Sequence, residues 1–101
     1  MRDQDIFDYI DRKISEAELP GIKLLKKEIT GHGFSLFEYE YNGVKINLVI
    51  DRGFLEGEIY KNGNYISLSE FNPLLRDLEK NIENADLIVN YIIRSRDVIF
   101  K

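Results

Sequence analysis

Alternating apolar and polar positions occupy residues 34–68, a period of two that is typical of strands burying one face of a sheet. Two Asn-Gly pairs, at 42–43 and 62–63, interrupt the alternation. This dipeptide is the strongest short hairpin signal, because a two-residue type I′ loop needs positive φ at both positions. The Arg-Gly pair at 52–53 is weaker and fits a two-residue turn, a longer loop or a bulge. The pattern predicts a meander of four antiparallel strands.

Counting outwards from the three turns, taken as two-residue loops, sets the strand register and sorts the side chains onto two faces. The apolar face receives Phe37, Tyr39, Tyr41, Val44, Ile46, Leu48, Ile50, Leu55, Ile59, Ile66 and Leu68. The opposite face receives Glu38, Glu40, Lys45, Asn47, Glu56, Glu58, Tyr60, Tyr65 and Ser67, together with Leu36 and Val49. Because a slip of one residue would turn every side chain to the wrong face, this clean division supports the register.

An apolar stripe at three- and four-residue spacings predicts an amphipathic helix over residues 3–19. The stripe consists of Ile6, Phe7, Ile10, Ile14 and Ala17. Asp3 is the predicted N-cap, and the Pro-Gly pair at 20–21 is the predicted end. We expect this helix to cover the apolar face of the sheet.

Residues 22–30 fit either a helix face or half of a strand. Loop signals bound the segment on both sides and leave only about eight residues, so we favour an edge strand leading into the meander. Lys23, Lys26 and Lys27 suit an exposed edge, where lysine discourages pairing with other chains.

A continuous apolar seam in the C-terminal part fits either one helix over residues 73–95 or two. The seam consists of Leu75, Leu78, Ile82, Ala85, Val89 and Ile92. Asn72 is the predicted N-cap and Pro73 the first helical residue. Asn81 and Asn84 are weak helix formers, so we favour two helices with a break at residues 82–84, the second capped by Asn84. The tail, residues 97–101, is strand-like and would extend the sheet.

Together these elements predict one α+β domain over residues 1–101. Its antiparallel meander sheet of four or five strands carries an N-terminal helix and one or two C-terminal helices packed on one face. No sequence element is left to cover the other face of the sheet.

Composition narrows the classes of function. The chain has 101 residues, of which 44% are hydrophobic and 32% charged, which argues for a folded domain. It has no apolar run long enough to cross a membrane, and its acidic amphipathic start is unlike a secretory signal. Without cysteine it has neither disulfides nor thiolate chemistry, which suits the cytoplasm. A net charge of −4 without a basic stripe argues against nucleic acid and for a basic protein partner.

His32 is the only histidine and lies between two glycines in a predicted loop. An imidazole titrates near neutrality, so a general base is one interpretation; an ordinary turn is the other, and no nearby Asp or Ser offers a partner. The chain has neither a phosphate-binding glycine loop nor a nucleophile elbow. We therefore predict no catalytic residue, no metal ligand and no cofactor.

The glutamates of the polar sheet face allow three interpretations. Solvated outward residues, with Lys45 pairing Glu40, are the commonest explanation of such a face. Paired catalytic carboxylates or a metal site would need a cleft, which an open sheet face does not supply. The third interpretation is a docking surface, because tyrosine is enriched at interfaces and acidic charge steers a basic partner. The predicted partner-binding residues are Glu38, Glu40, Lys45, Asn47, Glu56, Glu58, Tyr60 and Tyr65.

The favoured hypothesis is a small, cytoplasmic, non-enzymatic interaction domain, monomeric or weakly homodimeric. Its small size, its acidity and its lack of cysteine suit an antitoxin or immunity protein that docks onto a basic toxin such as a nuclease. The alternative is an enzyme or small-ligand binder with a pocket between sheet and helices near His32. Homodimerisation through the acidic face is a third hypothesis, which requires Lys45 or Lys61 to meet glutamates across the axis.

Overall fold

A meander sheet with helices on one side forms the frame of the computed structural model, which describes residues 1–100. Its strands are β1 (Lys23–Ile29), β2 (Phe34–Tyr41), β3 (Val44–Asp51), β4 (Phe54–Lys61), β5 (Asn64–Ser67) and β6 (Leu78–Glu79). Strands β1 to β5 lie side by side in chain order, and β6 pairs with the start of β4. The predicted meander is confirmed, and so is the edge strand within residues 22–30.

Three two-residue turns set the register of β2 to β5. The residue pairs at 42–43, 52–53 and 62–63 all have positive φ at both positions, between 52° and 84°. These angles are those of type I′ turns, so the weaker signal at Arg52 also forms a two-residue turn, in a backbone region that side-chain-bearing residues rarely adopt. Every predicted pair of β2 with β3 and of β3 with β4 is present.

Strand β5 ends at Ser67, one residue earlier than predicted, because α2 (Leu68–Phe71) begins there. The hydroxyl of Ser67 accepts a hydrogen bond from the backbone N–H of Ser69 at 3.3 Å and caps this helical turn. Leu68 is fully buried and lies directly on Gly57, where a Cβ atom would come within 2.6 Å of the Leu68 Cδ1. Counting outwards from the turn at 62–63 would make Gly57 and Leu68 a strand pair, but in the structure the two residues meet as a packing contact.

The helices pack on the apolar face of the sheet. They are α1 (Asp3–Glu16), α2, α3 (Ile82–Arg94) and α4 (Arg96–Ile99), with a short 3-10 turn at Pro73–Leu75. The apolar stripes of α1 and α3 contact each other and join the predicted sheet face in one core. The rings of Phe7 and Phe37, 4.8 Å apart, mark the contact of α1 with β2.

Helix α1 differs from the prediction at both ends. It ends at Glu16 rather than near residue 19, because Ala17 is already extended. Its N-cap position is Arg2, not Asp3. The Asp3 carboxylate is used elsewhere: it accepts hydrogen bonds from the Ser35 hydroxyl at 2.5 Å and the Lys80 ammonium at 2.9 Å.

The segment 73–95 is not one helix, and the first of the two predicted helices is only a three-residue 3-10 turn at Pro73–Leu75, so the prediction of an α-helix starting at Pro73 is wrong. Asn72 does act as a cap, with its Oδ1 accepting from the Leu74 N–H at 3.1 Å, but only the 3-10 turn follows before β6. Helix α3 is capped by Asn81 rather than by the predicted Asn84. Leu75 and Leu78 are both buried, one from a turn and one from a strand, so their spacing reflects burial and not helical periodicity.

The predicted strand at residues 97–101 is also wrong over its described part, where α4 forms instead; Lys101 lies outside the described residues. Consecutive residues of a strand point to opposite faces, so a strand would bury only one of Ile99 and Phe100. Here both are buried, and the Phe100 ring packs edge-on against Tyr41 at 5.0 Å.

Candidate protein-binding face

The sheet has a second side, which carries no helix in the described part of the chain and which we call the outer face. Its side chains form four rows across the strands. The rows are Lys23, Glu40, Lys45, Tyr60 and Tyr65; Lys26, Glu38, Asn47, Glu58 and Ser67; Glu28, Leu36, Val49 and Glu56; and Phe34, Asp51, Phe54 and Glu79. Every residue of the predicted partner-binding set lies on this face.

The centre of the outer face is acidic. Glu38 and Glu58 lie on either side of Asn47, on strands two apart, so their backbones are about 10 Å from each other. Glu40 and Glu56 lie one row away on each side. Within residues 1–100 none of these four glutamates forms an ion pair within 4.0 Å, so no cation contacts their carboxylates directly.

Asn47 lies between these glutamates and is unusual for an outward-facing residue. Only 5% of it is exposed, because the side chains around it are longer than an asparagine. Its Nδ2 donates to Glu58 Oε1 at 3.3 Å, whereas its carbonyl Oδ1 is buried and accepts no hydrogen bond. Among the described residues this Oδ1 is the only buried side-chain nitrogen or oxygen without a hydrogen-bond partner. Native proteins rarely leave a buried polar atom unpaired.

An aromatic pair borders the acidic centre. The rings of Tyr60 and Tyr65 are 4.7 Å apart at 53°, and Tyr65 is 60% exposed. Lys45 lies opposite Glu40 in the register, but its Nζ lies 6.0 Å from the Tyr60 ring centroid and makes no ion pair within 4.0 Å in the described chain. The Lys45–Glu40 ion pair that the solvated-face interpretation expects is therefore absent from residues 1–100.

Two features of the outer face were not predicted from the sequence. Lys23 and Lys26 of β1 lie opposite Glu40 and Glu38, so a basic edge borders the acidic centre. This pairing depends on a bulge between Leu24 and Lys26, which no residue pattern marks. Phe34 and Phe54 form an exposed apolar end. Extending the register by one pair, through Asp51, would have found them.

A buried charge cluster fixes the helix layer against the other side of the sheet. The Asp3 side chain is 13% exposed, and its ion pair with Lys80 joins the start of α1 to the segment before α3. Burial on its own would raise the pKa of Asp3. The hydrogen bonds from Ser35 and Lys80 and the charge of Lys80 outweigh burial and hold this pKa below its usual range. The ionised carboxylate therefore stabilises the fold.

His32 is exposed in the turn between β1 and β2, where its backbone N–H donates to the Thr30 hydroxyl at 3.1 Å. A cavity of about 340 Å³ adjoins this turn, lined among others by Arg2, Asp3 and Lys80 but not by His32. A second cavity, of about 370 Å³, lies between α1 and β1. That cavity lies at the other end of β1 from His32, about 20 Å away along a seven-residue strand.

Comparison with protein-family models, with curated proteins and with solved structures gives no match for this chain. Within residues 1–100, no group of three or more His, Cys, Asp or Glu side chains is placed to hold a metal ion. None of the helices described is long and apolar enough to span a membrane.

Proposed function

We propose that this protein is a small interaction domain that docks onto a basic protein partner through the outer face. The partner class that suits it is a basic toxin such as a nuclease, which the domain would inhibit as an antitoxin or immunity protein does. The observation that carries the proposal is the row of Glu38, Asn47 and Glu58, where acidic side chains without ion pairs among the described residues surround a buried, unsatisfied carbonyl.

The charge on this face supports a basic partner. The net charge of the chain is −4, and Glu38, Glu40, Glu56 and Glu58 lie together around the centre of one surface. Clustered charge of one sign raises the association rate with an oppositely charged partner and is screened beyond about 8 Å at physiological salt. Binding that depends on this face is therefore expected to weaken as salt increases.

The size and apolar content of the face also suit a protein interface. Four strands spaced about 4.8 Å apart, each about eight residues long, present a projected area of several hundred Å², comparable with the roughly 800 Å² that each partner buries in a standard interface. Tyr65 at one end is 60% exposed and Phe54 at the other is 50% exposed. Aromatic groups of this kind are the usual energetic anchors of interfaces.

A pull-down from native lysate at low and high salt tests the proposal. The test variant reverses the acidic centre in one chain: Glu38→Lys, Glu40→Lys, Glu56→Lys and Glu58→Lys. The matched control makes the same charge change at exposed positions away from the outer face: Asp8→Lys, Glu16→Lys, Glu18→Lys and Glu83→Lys.

We expect a basic protein to be retained by the wild type and by the control at low salt. High salt should release it, and the test variant should not capture it. Capture of the same protein by the test variant would show that the outer face is not the docking surface. Loss of capture by both variants would mean that net charge, rather than this face, determines binding.

A further inference from the structure

The unsatisfied carbonyl of Asn47 indicates what the partner must bring. A buried acceptor without a hydrogen bond carries a desolvation cost, and a donor supplied by a partner removes that cost. The amide of the same side chain is already engaged with Glu58, so the group that is free is an acceptor and the complementary group is a donor. The side chain belongs to the outer face but its Oδ1 is covered, so a donor from the uncovered side reaches it only when the flanking Glu38 and Glu58 side chains move apart.

The residues beside Asn47 favour a cationic donor. Glu38 and Glu58 flank it across the strands and are negatively charged acceptors. A metal ion needs several oxygen ligands within about 2.6 Å, and residues 1–100 offer no such gathered group. A guanidinium differs, because its five N–H donors form a planar fork that reaches several acceptors at once.

We propose that the partner inserts one arginine side chain above Asn47, between Glu38 and Glu58. The guanidinium donates to Asn47 Oδ1 and to at least one flanking carboxylate. A lysine ammonium is a compact point charge and matches this spread of acceptors less well. This inference rests on the proposed docking function and names the chemistry of the contact at its centre.

Titration of the ¹⁵N-labelled protein with N-acetyl-arginine methylamide tests the site without a known partner. At low salt we expect saturable shifts of the Asn47 side-chain amide and of the backbone amides beside it, at concentrations several-fold lower than for N-acetyl-lysine methylamide. In Asn47→Leu the backbone shifts should be lost. An absence of shifts at Asn47, equal effects of the two probes, or unchanged shifts in Asn47→Leu would each overturn the proposal.

The captured basic protein separates failure of this inference from failure of the proposed function. We expect Asn47→Leu to weaken capture at least tenfold while leaving the fold intact. If the four-glutamate reversal abolishes capture and Asn47→Leu does not, the docking face stands and the arginine contact is wrong. If neither variant affects capture, the docking function itself is wrong.

Discussion

Asn47→Leu is expected to make the free protein more stable. The side chain is 95% buried on a sheet face that is otherwise half-exposed, and leucine has nearly the same size without the polar amide. A substitution that removes a group retained for a partner should improve the isolated domain while harming its binding. This trade-off separates a functional asparagine from a structural one.

The magnitude follows from three contributions. Removing a buried acceptor that lacks a partner gains about 1–3 kcal/mol. Losing the hydrogen bond to Glu58, which is long at 3.3 Å, costs roughly 1 kcal/mol. Leucine also suits a strand better than asparagine, by up to about 1 kcal/mol. The sum runs from about 0 to about 3 kcal/mol of stabilisation, with a central value of about 1.5 kcal/mol, and each 1 kcal/mol raises Tm by about 4–8 °C for a domain of this size.

Urea unfolding followed by circular dichroism, with a thermal melt, measures this difference. Asn47→Asp is the matched control, because it keeps the shape and places a third carboxylate between Glu38 and Glu58. Repulsion raises the pKa of that carboxyl in the folded state, so its protonated form is favoured. The control should therefore be less stable than wild type at pH 7 and recover as the pH falls. A loss of more than about 1 kcal/mol in Asn47→Leu would show that the amide supports the fold and would refute the reasoning.

Two further substitutions test the packing and the buried charge. Gly57→Ala places a Cβ 2.6 Å from Leu68 Cδ1 in a filled core and should destabilise by about 1–3 kcal/mol. In a Leu68→Ala background the same substitution should cost less in urea unfolding, and strictly additive effects would contradict the contact. Asp3 has a pKa below its ordinary 3.8, so its stabilisation is complete above that pH and is lost as the pH falls through the folded-state pKa. Asp3→Asn should therefore lower Tm at pH 7 but much less near pH 2, and an equal deficit at both would count against this role.

The meander register could be read from the chain because its determinants are local. Two-residue loops fix which residues face each other, and the period of two assigns each side chain to a face. A slip of one residue would expose Phe37 and bury Glu38, so the register with the buried apolar face is far more stable than its neighbours. The predicted binding residues are found together on the outer face for the same reason.

The segment 73–81 could not be read in this way. Apolar residues at helical spacing were present, but Leu75 and Leu78 reach the core from a turn and from β6. The pairing of β6 with β4 joins residues more than twenty positions apart. Between the 3-10 turn and β6, Asp77 takes up a positive φ of 55°. Such a long-range pairing overrides a local preference that is worth only tenths of a kcal/mol per residue.

The candidate site likewise has features that follow from the local sequence and features that depend on long-range contacts. The sequence by itself determined which residues share the outer face, because alternation and turn length are properties of neighbouring residues. Only the tertiary structure decided that Asn47 is buried with one carbonyl unpaired, since its cross-strand neighbours Glu38 and Glu58 belong to two other strands. The lysine edge likewise depended on the bulged pairing of β1. Burial and hydrogen-bond satisfaction are sums over all neighbours in space, and those neighbours exist only once the sheet has formed.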